Sequence, residues 1–67
     1  MGTIEINKDG KTYEAEYSVE QGLVTVYGDR GEETTQLDGL SEQQVAKLLL
    51  GSLIRKGHID PIGPDAA

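Results

Sequence analysis

Apolar and polar residues alternate from Thr3 to Asn7, with Ile4 and Ile6 on one side, until Asp9-Gly10, a dipeptide suited to the positive φ angles of a two-residue hairpin turn. Alternation resumes from Thr12 to Val19, with Tyr13, Ala15, Tyr17 and Val19 in one phase and Thr12, Glu14, Glu16 and Ser18 in the other. A turn at Asp9-Gly10 sets Ile6 opposite Tyr13 and Ile4 opposite Ala15, so both apolar sets fall on one sheet face. A three-residue loop would put Ile6 opposite Thr12 and mix the faces. The same test at Gln21-Gly22 pairs Val19 with Val24 and Tyr17 with Val26. Leu23-Val24-Thr25-Val26-Tyr27, β-branched and aromatic, carries the clearest strand signal. Gly28-Asp29-Arg30-Gly31 forms a four-residue turn that sets Tyr27 opposite Glu32. A short fourth strand from Glu32 to Leu37 follows, with Thr35 opposite Val24 and Leu37 on the buried side.

After Asp38-Gly39 the period changes from two to 3.6. Ser41 is the expected N-cap, Gln44 completes a capping box, and Leu40 and Val45 form a hydrophobic staple. The helix should run from Glu42 to about Lys56, with Arg55 and Lys56 at the negative end of its dipole and Gly57 as the C′ stop. Gly51 costs it about 1 kcal/mol relative to Ala. From His58 the chain has two prolines and no period. Residues 1–62 are read as one domain and residues 63–67 as a flexible tail.

The expected fold is α+β: a two-layer ββββα domain in which an antiparallel meander of three to four strands packs one C-terminal helix on one face. Its core would be Ile4, Ile6, Tyr13, Ala15, Tyr17, Val19, Val24, Val26 and Leu37, covered by Leu40, Val45, Leu48, Leu49 and Leu53. Ala46, Leu50 and Ile54 extend the apolar part of the helix round its flank to roughly 240°, against the ~100° stripe that a helix on one sheet needs. Two covers are open for the remainder: the tail, through Ile59 and Ile62, or a second copy of the chain in a two-fold dimer.

Sixty-seven residues allow a single domain. At this size a core supplies about 3–5 kcal/mol, and with no Cys and one His there is neither a disulfide nor a Cys/His zinc site to add to it. No run approaches the roughly 18–20 apolar residues of a membrane span, and Met1-Gly2-Thr3-Ile4-Glu5 lacks the layout of a signal peptide, so a cytoplasmic location is expected.

Twelve acidic side chains against six basic ones leave a net charge of −6, and residues 1–40 alone carry nine acids and three bases. The solvent face implied by the register, with Thr3, Glu5, Thr12, Glu14, Glu16, Ser18, Thr25, Glu32, Thr34 and Gln36 and with Leu23 and Tyr27 among them, repels phosphate. Nucleic-acid binders collect Lys and Arg because counterion release drives much of their affinity. Only the helix end, with Lys47, Arg55, Lys56 and His58, is locally basic.

The span from Glu5 to Glu16 has the offsets of a calcium loop, with oxygen donors at Glu5, Asn7 and Asp9, glycine at Gly10 and Glu16 last. Its context is wrong: no helix flanks it, and the alternation stretches Glu16 away along a strand. Asp29, Glu32 and Glu33 are a looser oxygen cluster at a turn. For catalysis, His58 lies near Asp60 with no Ser or Thr placed as a nucleophile, and Glu14 and Glu16 share an exposed strand face where nothing would raise a pKa. Gly22, Gly28 and Gly31 mark hairpin corners and do not form a phosphate cradle.

Gly22-Leu23-Val24-Thr25-Val26, Thr35-Gln36-Leu37-Asp38-Gly39 and Ala46-Lys47-Leu48-Leu49-Leu50 resemble a G-[VL]-[VI]-T-V strand, a T-Q-[LV]-x-G corner and an A-x-L-L-L helix that recur in a group of short, functionally uncharacterised bacterial proteins. The resemblance covers roughly residues 3–56. That group carries no established activity, so the resemblance implies a fold and nothing functional transfers from it. By architecture alone the chain is also similar to the PUR-repeat and positive-cofactor-type single-strand binders, which dimerise and bind nucleic acid through basic, aromatic surfaces that this sequence lacks.

The expectation is therefore a small noncatalytic protein–protein interaction module without metal or cofactor. It would be homodimeric through the helix flank at Ala46, Leu50 and Ile54, or would bind another protein there. The alternative is single-stranded nucleic-acid binding through Lys47, Arg55, Lys56 and His58.

Overall fold

Two consecutive residues with positive φ close each tight hairpin: Asp9 at 54° and Gly10 at 75°, then Gln21 at 51° and Gly22 at 78°. This is the turn geometry whose twist matches that of the flanking strands. In the computed structural model, which describes residues 2–62, the turns join strands β1 (Gly2–Lys8), β2 (Lys11–Glu20) and β3 (Leu23–Tyr27). A wider turn leads to β4 (Glu32–Gln36), and the four strands form one antiparallel sheet in chain order. The helix α1 (Glu42–Lys56) follows, giving the expected ββββα, α+β architecture. No helix among the described residues is long and apolar enough to cross a membrane. The expected tail, residues 63–67, lies outside the described residues.

The register is the one that the apolar alternation demands. Ile6 faces Tyr13 and Ile4 faces Ala15, Val19 faces Val24 and Tyr17 faces Val26, and Tyr27 faces Glu32 with Val24 opposite Thr35. β1 and β2 each run one residue further at both ends than the alternation alone marks. β4 stops at Gln36, and Leu37 instead donates its N–H to the Gly22 carbonyl at 3.0 Å. A further tight turn, with Asp38 and Gly39 at φ 50° and 85° and Leu40 N–H on the Leu37 carbonyl at 3.0 Å, carries the chain from the sheet to the helix.

Ser41 caps α1 reciprocally. Its hydroxyl accepts from the Gln44 N–H at 3.1 Å while its own N–H donates to Gln44 Oε1 at 2.9 Å. The helix ends at Gly57, left-handed at φ 74°.

The rotation of α1 on the sheet corrects the sequence reading. Val45, Ala46, Leu49, Leu50 and Leu53 face inward, with Ala46 and Leu50 fully buried, while Leu48 is 63% exposed. At 100° per residue this buried face is turned by roughly 60° from the Val45-Leu48-Leu49-Leu53 arc. Leu40, also expected in the core, is largely exposed, and Ile54 is half-buried against the core. The physical reason lies beyond the C-terminal end of the helix. Ile59, just beyond Gly57, is buried in the same core cluster as Ala46 and Leu50 and adds apolar surface that a bare sheet lacks. Ala46 and Leu50 are therefore buried within the chain itself and offer no open dimer flank, while Ile54 keeps part of its surface exposed.

Candidate interaction surface

The four basic residues at the helix end do not converge. The Lys56 ammonium donates to the Glu33 carboxylate, which points inward from β4. That contact, with smaller help from Ser52, holds the Glu33 carboxyl below its usual range despite partial desolvation. His58 is tucked against the β3–β4 turn: a Cβ on Gly31 would lie 2.7 Å from His58 Nδ1, which is buried without a hydrogen-bond partner. Lys47 and Arg55 remain exposed, two turns apart along α1. No continuous cationic strip results.

Arg30, which the sequence reading left unassigned, turns out to organise this end of the molecule. Its Nε and Nη2 donate to the Gly57 carbonyl at 3.0 and 2.8 Å, and its Nη1 and Nη2 fork onto the Asp60 carboxylate at 3.0 and 2.8 Å. Arg30 thus satisfies a helix-terminal carbonyl that lacks an intrahelical donor. The Arg30 N–H donates to the His58 carbonyl at 2.8 Å, and Asp29 Oδ2 accepts from the Asp60 N–H at 2.8 Å. The turn therefore clasps residues 57–60 and seats Ile59 in the core. Hydrogen bonding to Arg30 holds the Asp60 carboxyl below the ordinary carboxylate range, and the same contact holds Arg30 in its charged form. The one sequence cue was a pair of glycines bracketing Asp29-Arg30. Gly28 is required because a Cβ there would meet the His58 carbonyl at 2.8 Å and the Gly31 carbonyl at 2.9 Å.

Among the described residues, the groupings raised by spacing are not brought together. The Asp60 carboxylate is engaged by Arg30, so it does not orient His58 as a base. Glu5 and Glu16 stand on strands while Asp9 sits at a hairpin tip, and among the described residues no group of three or more acidic or His side chains is placed to hold a metal ion. The surface carries no pocket among these residues.

The open face of the sheet is different in character. The pairing places Thr3, Glu5 and Asn7 of β1, Thr12, Glu14, Glu16, Ser18 and Glu20 of β2, Leu23, Thr25 and Tyr27 of β3, and Glu32, Thr34 and Gln36 of β4 on the side away from α1. Every one of these positions is exposed or half-buried. β3 supplies a row running Leu23, Thr25, Tyr27, in which Leu23 is 41% and Tyr27 38% exposed. Hydroxyl pairs brace the row: the Tyr27 hydroxyl meets Ser18 Oγ at 2.9 Å, and Thr25 Oγ1 meets Thr34 Oγ1 at 2.8 Å. Glu16 and Glu32 flank Tyr27, and Glu20 stands beside Leu23.

No family model, no curated protein and no solved structure matches the chain.

Proposed function

We propose that this chain is a noncatalytic protein-binding module whose contact surface is the open face of the sheet, centred on β3. The observation that carries this reading is the exposure of Leu23 and Tyr27 side by side with Thr25 on a rigid strand whose opposite face, through Val24 and Val26, is fully buried. Amphipathic aromatic side chains held on a regular element are favoured interface anchors, because little conformational freedom remains to be lost on binding. The helix flank is set aside as the contact, since Ala46 and Leu50 have no accessible surface to offer.

The test is site-specific photo-crosslinking from position 27, with position 38 as control, followed by purification of the captured protein and titration against wild type and a Leu23→Ser/Tyr27→Ser variant. The variant should keep its fold, because both side chains point to solvent, and should bind at least about tenfold more weakly, the loss of about 1.4 kcal/mol expected when interface anchors are removed. Undiminished binding by the variant would remove the face as the contact surface.

A further inference from the structure

The charge on the open face says what can cover it. Its outward charged side chains are Glu5, Glu14, Glu16, Glu20 and Glu32, and no Lys or Arg occupies an outward strand position. Glu5 and Glu14 stand directly opposite each other, a like-charge pairing that costs stability on a bare sheet. The basic side chains are all elsewhere. Arg30 and Lys56 are engaged by Asp60 and Glu33, Lys47 and Arg55 lie on α1, and Lys8 and Lys11 share the helix side of the sheet at the first hairpin.

We infer that the open face docks a protein surface bearing arginine and lysine around a small apolar centre, and does not dock a second copy of this chain. This rests on the preceding assignment of the face as the contact. Around the apolar row, the carboxylates of Glu16, Glu20 and Glu32 form a rim of one sign, the layout in which rim charges select the partner and the centre supplies the buried area. Tyr27 sits between Glu16 and Glu32, and its ring is drawn toward β2 by the contact with Ser18. A guanidinium placed over that ring meets an aromatic face and two carboxylates together, combining cation–π attraction with charge-assisted hydrogen bonds. A two-fold pairing of the same face would set carboxylates against carboxylates, and removing like charges from water together is strongly unfavourable. Nucleic acid and anionic lipid headgroups share the face's sign and are repelled by it.

Amide chemical-shift mapping of the intact protein tests this with three octapeptide probes: one alternating arginine with valine, one with glutamate in place of arginine, and one with serine. The arginine peptide should shift amides in residues 16–20, 23–27 and 32–36, the glutamate peptide should shift none of them, and the serine peptide should bind at least about tenfold more weakly than the arginine one. A Glu16→Lys/Glu32→Lys variant, altered at exposed positions only, should lose the arginine-peptide shifts and retain the wild-type spectrum elsewhere. Equal binding of the three peptides at the face would overturn the charge assignment while leaving the face as a contact surface. Shifts spread over Asp9, Asp38 and Glu42 as strongly as over the face would overturn it too, as would a sedimenting dimer with shifts confined to the face. If no peptide and no crosslinked partner perturbs the face, the assignment of the surface itself fails.

Discussion

Truncating Leu50 to Ala probes the rotation of the helix on the sheet. Leu50 is 0% exposed and Leu48, two residues earlier, is 63% exposed. Leu50→Ala removes three carbons from a dry site, roughly 2.4 kcal/mol of transfer free energy at about 0.8 kcal/mol each. The cavity left behind brings the range to about 2.7–5 kcal/mol. A domain of this size has only about 3–5 kcal/mol in total, so the variant should be close to its unfolding midpoint in water or beyond it. Leu48→Ala, with most of its side chain already in water, forfeits at most about a third of the transfer value, ~0.8 kcal/mol, and opens no cavity. Urea titration followed by far-ultraviolet circular dichroism reads the difference. With a slope of about 1 kcal/mol per molar urea, the midpoint should move by less than ~1 M for Leu48→Ala and by about 2–3 M or more for Leu50→Ala. Leu50→Val, expected to cost ~1 kcal/mol, keeps the series measurable should the Ala variant unfold outright. Equal losses at the two positions, or the larger loss at Leu48, would refute the burial of the Leu50 side of the helix.

Three further outcomes follow from the same contacts. Gly28→Ala should destabilise by about 1–3 kcal/mol, because the new methyl meets two backbone carbonyls that cannot rotate away; a thermal midpoint unchanged from wild type would contradict the close approach of the turn to His58. Ser41→Ala should cost about 1 kcal/mol through loss of the reciprocal cap, lowering the melting temperature by roughly 4–8 °C, and a smaller change than that at an uncapped surface serine would count against it. The carboxyls of Glu33 and Asp60 are held below their ordinary range by Lys56 and Arg30, so the stability they contribute is present above that range and is lost as pH falls through and beneath it. A Glu33→Gln/Asp60→Asn variant should therefore show a shallower decline in melting temperature between about pH 5 and pH 3 than wild type, and the difference should shrink in high salt, more for the exposed Arg30–Asp60 pair than for the half-buried Glu33. Parallel declines would show that neither pair matters to acid stability.

The sheet was legible because local chemistry and global packing agree there. Asp9-Gly10 and Gln21-Gly22 admit one turn geometry, and each turn admits one register that keeps Ile4, Ala15, Val24 and Val26 on a single face. The helix limits were legible for a similar reason, since Ser41, Gln44 and Gly57 act within one turn of the backbone. The helix phase was not. Val45, Leu49 and Leu53 belong to both possible stripes, and the stripe that is buried, with Ala46 and Leu50, shares its core with Ile59, a residue outside the helical period. The clasp was equally hidden, because Arg30 finds Asp60 thirty positions along the chain and no periodicity links them. The open face was readable as a set of outward positions from alternation alone. That Leu23 and Tyr27 stay uncovered depends on where α1 lies.

The order of the strands in space repeats their order along the chain, so each strand meets as its first neighbour the one synthesised just before it. Such zippering needs only short loop closures, which are entropically cheap and quick. Docking of the helix and engagement of Arg30 with Asp60 are the long closures, and the latter is held by solvent-accessible contacts. Release of that contact is expected to be a low-energy opening of the native state, and amide exchange should report the Gly57 to Asp60 stretch as admitting solvent while β2 and β3 remain shut.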